Sequence, residues 1–108
     1  MPHYLIQVGY SSGALAALLK KQEKRVDAVR PVIEKLGGKV DSAYLSFGDY
    51  DAVLIVEMPD SVSAAAIAMA FGAGGGCKTV KTTPLLTSDE GMEAMKKAAK
   101  SGYKPPAG

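Results

Sequence analysis

The sequence predicts one α+β domain whose strands and helices follow the order β-α-β-β-α-β, with one further helix appended. Three observations carry that expectation. Residues 3–9 and 52–58 read as strands, the first with a fully apolar side in Tyr4, Ile6 and Val8. Val26, Val29, Ile33 and Leu36 recur at helical spacing before Gly37 and Gly38. Between strands two and three, "SFGDYDAVLIVEMPD" at residues 46–60 puts a turn directly in front of an apolar run, the pattern of an antiparallel hairpin.

Taken in order, residues 3–9 form the first strand, and Ser11, Ser12 and Gly13 offer caps for a short helix carrying Leu15, Leu18 and Leu19. The charged stretch "KKQEKR" precedes a longer helical segment, in which Pro31 is expected to kink or break the helix. Residues 39–47 are the second strand, alternating Val40, Ser42, Tyr44 and Ser46 against Asp41, Ala43, Leu45 and Phe47. Gly48 offers a positive φ for the turn, and Asp49 suits it by bonding its own backbone.

The third strand carries branched or long apolar residues on both sides, so both should be buried. Pro59 ends it, and Asp60 or Ser61 caps a helix rich in Ala and Met that runs to about Phe71. Residues 72–76 are Gly-rich and read as a flexible linker. They lack the ending of a phosphate-binding loop and precede a strand, the wrong geometry for a phosphate at a helix N-terminus. Residues 77–86 form the fourth strand, and Thr87 with Glu90 makes a capping box for a last helix bearing Met92, Met95 and Ala99.

This is the ferredoxin-like arrangement: a four-stranded antiparallel sheet with the first and third strands central and two helices on one face. The other face would lie open in a single chain. A second copy packed sheet to sheet is the most economical cover, so a homo-oligomer, most simply a dimer, is expected. Residues 1–100 are read as one domain and residues 101–108 as a flexible tail.

Composition narrows the function classes. The chain of 108 residues is 47% hydrophobic and 22% charged, with a formal charge of +2. That charge is too small to point to nucleic acid or a membrane surface. No stretch approaches a membrane span and no secretory leader is visible, so a cytoplasmic location is expected. A single cysteine, Cys77, excludes an internal disulfide and suits a reducing compartment. With one His and one Cys, a zinc site of the common His/Cys type is not expected, and neither a metal nor an organic cofactor is signalled. An RNA-binding sheet would display aromatics on its third strand, where this chain has Val53, Leu54, Ile55 and Val56.

Two stretches, "FGDYDAVLIVEMPD" at residues 47–60 and "KRVDAVRPVIEKLGGKV" at residues 24–40, resemble the GYD domain family. The first matches its Gly-x-Tyr-Asp turn, apolar strand and Glu-x-Pro-Asp exit, and the second its Lys-Arg helix ending in Leu-Gly-Gly. The resemblance implies a ferredoxin-like protomer of the dimeric α/β-barrel type, a group that includes small monooxygenases, isomerases and stress-response proteins. It implies no particular activity.

The candidate site residues follow from strand alternation. If Tyr4, Ile6 and Val8 face the helices, then His3 and Gln7 face the other way. Glu57 shares that side with Asp51, Val53 and Ile55. Gln7, Glu57 and Tyr44 are therefore candidates for the polar end of a ligand pocket on an apolar floor, and Tyr50 and Asp51 are further ligand-binding candidates. A partly desolvated Glu57 suits a general base, with His3 or Tyr44 as proton-transfer partners. Equally, Glu57 simply ends a strand or pairs with Lys81, Asp51 pairs with Arg25, and Tyr50 packs over the sheet edge. Two function classes result: a small-ligand-binding or regulatory module, or a cofactor-independent enzyme of isomerase or monooxygenase type using Glu57.

Overall fold

The computed structural model describes residues 1–107; Gly108, the last residue of the expected tail, lies outside them. The elements run β1 (His3–Tyr10), α1 (Ser12–Lys20), α2 (Arg25–Lys35), β2 (Lys39–Leu45), β3 (Ala52–Glu57), α3 (Ser61–Ala73), β4 (Cys77–Leu85) and α4 (Ser88–Ala99). The four strands form one open antiparallel sheet in the order β2-β3-β1-β4. The fold is α+β, with four helices.

Helix boundaries follow the side chains that satisfy free N–H groups. Ser11 Oγ accepts from Ala14 N at 3.1 Å, and Asp60 Oδ1 accepts from Ser63 N at 2.7 Å. Thr87 and Glu90 form the reciprocal capping box, Thr87 N donating to Glu90 Oε1 at 2.9 Å and Glu90 N to Thr87 Oγ1 at 3.1 Å. The interruption between the first two helices falls at residues 21–24, within the expected charged stretch, and Pro31 sits inside α2 without ending it. The run of charged side chains, with nothing apolar to bury, breaks the chain more effectively than the missing N–H of Pro31 does.

The core lies between one face of the sheet and the helices. Tyr4, Ile6 and Val8 of β1 and Ala52, Leu54 and Val56 of β3 are buried there with Met58, Ile33 of α2, and Ala64 and Ile67 of α3. On the opposite face Leu5, Gln7, Val53, Ile55 and Glu57 remain half-exposed. The third strand is thus fully buried on one side only within a single chain.

Strand β2 departs from simple alternation. Val40 pairs with Val56, but Ser42 pairs with Ile55, so Asp41 is an extra residue in the ladder. A bulge of this kind reverses side-chain parity. Val40 and Ala43 both pack toward the core, whereas Tyr44 is exposed beside Val53.

The hairpin loop is not built on a left-handed glycine: among the described residues positive φ occurs at Gly37, Gly75 and Gly102, not at Gly48. Six residues separate the strands, so no tight two-residue turn is needed. Ser46 holds the loop instead, its N donating to Asp51 O at 2.8 Å and its hydroxyl to Tyr50 O at 2.7 Å. Helix α3 extends through Gly72 to Ala73, which shortens the expected Gly-rich linker.

Helix α4 buries no residue, and Met92 and Met95 on it are exposed. The radius of gyration is 17.1 Å, against about 13 Å for a compact chain of this length.

Gly37 ends α2 with φ +86°, and Gly38 N donates to Ile33 O at 2.9 Å. A Cβ on Gly38 would come within 2.7 Å of Glu57 O and also meet Met58 Sδ and Ile33. Because backbone cannot step aside, Gly38→Ala is expected to lower unfolding free energy by about 1–3 kcal/mol, the usual cost of overpacking. Denaturant unfolding followed by circular dichroism checks this, and wild-type stability would refute the close-approach account.

Candidate functional site

A cavity of about 740 Å³ opens between the sheet and the first two helices. Val8, Ala52 and Leu54 form its floor; Leu15 and Leu18 of α1 and Val26 and Val29 of α2 form its wall. It exists because α1 is short and buries none of its own residues, standing off the sheet instead of packing onto it.

Polar groups gather at one end. Tyr10, Arg25, Asp51 and Cys77 all line the cavity. Asp51 Oδ2 accepts from Tyr10 N at 2.7 Å, which holds the hairpin loop against the end of β1. Arg25 does not pair with Asp51: its Nη1 bonds Glu23 Oε1 at 3.0 Å at the rim. Burial pushes the Tyr10 phenol above its ordinary pKa, helped by Cys77 and Asp51 and opposed by the Arg25 charge. Burial also raises the Cys77 thiol, again against Arg25. Both groups, neutral near pH 7 at their ordinary pKa values, stay so here and can serve as hydrogen-bonding groups.

A second group lies on the opposite face of the sheet. His3 and Glu57 are direct partners in the β1–β3 ladder. His3 Nε2 lies 3.8 Å from Glu57 Oε1 and 3.2 Å from Asp41 Oδ2, the carboxylate displaced by the bulge. The basic side chain beside Glu57 is therefore His3, while Lys81 stands in the ladder opposite Gln7.

The sheet separates the sequence-derived candidates. His3 and Glu57 meet. Gln7 and Tyr44 flank Val53, four residues along β3 from Glu57 and hence roughly 13 Å away at ~3.3 Å per residue. A general-base role for Glu57 would be played with His3 and without them. Asp51 lines the cavity on the helix side, while Tyr50 stays half-buried in the loop.

Sequence reasoning missed Asp41, because strict alternation puts it opposite Val40, Ser42 and Tyr44. The available signal was the three-residue spacing of Val40 and Ala43. It also missed the polar cluster of Tyr10, Arg25 and Cys77, whose members come from different elements and share no motif.

The architecture is that of a small α+β protein with an apolar helix-side cavity and a charged cluster on its free sheet face. A family model for the GYD domain matches residues 4–95, and the chain belongs to the GYD domain family. No curated protein matches it significantly. No helix among the described residues is long and apolar enough to cross a membrane.

The raised thiol pKa has a direct consequence. Below its pKa the reactive thiolate falls tenfold per pH unit, so alkylation of Cys77 by iodoacetamide should reach half its plateau rate at a higher pH than alkylation of free cysteine. A midpoint at about pH 8.5, as for an unperturbed cysteine, would show the thiol to be solvated.

Proposed function

We propose that this chain is a small-ligand-binding or regulatory module whose ligand occupies the cavity between the sheet and α1 and α2. The carrying observation is the cavity itself: about 740 Å³, within the range of small-molecule sites, mostly apolar and with a few convergent polar groups. The ligand would be an apolar body with one polar end. That end would lie near Tyr10, Arg25 and Asp51, Arg25 favouring an anionic or carbonyl group.

The protomer is read as ferredoxin-like and the assembly as a homodimer of the dimeric α/β-barrel type. Support comes from the free sheet face, where Leu5, Val53 and Ile55 are half-exposed and Tyr44 is 67% exposed. Pairing two such faces removes apolar surface from water at about 25 cal/mol per Å².

Fluorescence titration with anilinonaphthalene sulfonate tests the cavity. Leu18→Trp, which fills it from α1, should weaken binding of this probe about tenfold, equivalent to ~1.4 kcal/mol. Equal affinity for wild type and variant would remove the cavity as the binding site. Native mass spectrometry at micromolar concentration tests the assembly independently. A species of twice the 11.2 kDa chain mass is expected, and a monomer would overturn the dimer while leaving the cavity reading intact.

A further inference from the structure

We infer that His3, Asp41 and Glu57 form a binding site for a divalent first-row transition cation on the free face of the sheet. These residues stand on three neighbouring strands, β1, β2 and β3, and each offers one ligand atom within 4.8 Å of the other two. Bonds of ~2.1 Å to N and O donors place adjacent donor atoms about 3 Å apart. The separations of His3 Nε2 from Asp41 Oδ2, 3.2 Å, and from Glu57 Oε1, 3.8 Å, are close to that spacing. Small side-chain rotations would bring all three donors onto one ion.

The backbone supplies a second argument. His3 and Glu57 face each other through ordinary pairing. Asp41 joins them because the bulge inserts it between Val40 and Ser42, and bulges commonly re-aim side chains next to functional sites. The bulge leaves Val40 in the core and so does not sacrifice packing to bring in the carboxylate.

Charge completes the case. The two carboxylates carry a formal charge of −2, which a divalent cation neutralises while relieving the repulsion between them. One nitrogen and two oxygen donors suit manganese, iron or zinc better than calcium, which takes oxygen alone. Three protein ligands leave positions for water or for an oxygen-bearing ligand. This site does not depend on the helix-side cavity, from which the sheet separates it.

The test uses the full-length chain, stripped with EDTA and then titrated with Co²⁺ (visible absorption) and Zn²⁺ (calorimetry, with metal content by mass spectrometry). One ion per chain is expected. Loss of an outer-sphere partner alone costs 10–100-fold in affinity, so His3→Ala and Glu57→Gln should each lose about a hundredfold or more. Asp41→Asn should weaken binding and shift the Co²⁺ spectrum, whereas Cys77→Ser should bind as wild type. Circular dichroism of each variant separates lost binding from lost folding. Failure of the folded wild-type chain to take up a stoichiometric ion, or His3→Ala binding like wild type, would overturn the site and leave the cluster as an ion pair.

Discussion

The β1–β3 ladder joins Tyr4 to Val56, Ile6 to Leu54 and Val8 to Ala52, and all six residues are buried against the helices. Because side chains alternate, this choice of face fixes the other: Leu5, Gln7, Val53, Ile55, His3 and Glu57 must look away from the helices. A slip of β1 by one residue against β3 would drive His3 into the core, away from Glu57, and expose Ile6. Burial of one row of apolar side chains therefore locates both the helix-side cavity and the charged cluster.

The two candidate regions obey different physics. The cavity is a failure of packing: α1 spans only nine residues and leaves volume that solvent or a ligand must fill. Its polar end is partly desolvated, which raises the pKa values of Tyr10 and Cys77. The cluster on the other face is a concentration of charge, with His3 and Glu57 half-exposed and Asp41 exposed. A ligand for the first is selected by shape and apolar area; an ion at the second is selected by donor type and charge.

Much of the fold is legible in the sequence because it rests on local signals. Ser11, Asp60 and the Thr87–Glu90 box announce their helices, and Gly37 ends α2 with the left-handed backbone that a C-terminal glycine supplies. Pleat alternation alone puts His3 and Glu57 on one face. What alternation cannot reveal is row. Grouping Gln7 and Tyr44 with Glu57 requires the register, which is set by pairing between distant residues. The bulge at Asp41 and the stand-off of α1 are likewise tertiary outcomes: each depends on what the rest of the chain packs against that segment.

The bulge also makes the length of β2 informative independently of its composition. Removing position 41 would restore an uninterrupted ladder from Lys39 to Leu45 with every core contact of Val40 and Ala43 retained. The fold would tolerate the deletion and the charged cluster would lose one of its three members. Among family members, a one-residue gap there would mark a branch that kept the scaffold and gave up the cluster, a distinction invisible to comparisons that score only residue type.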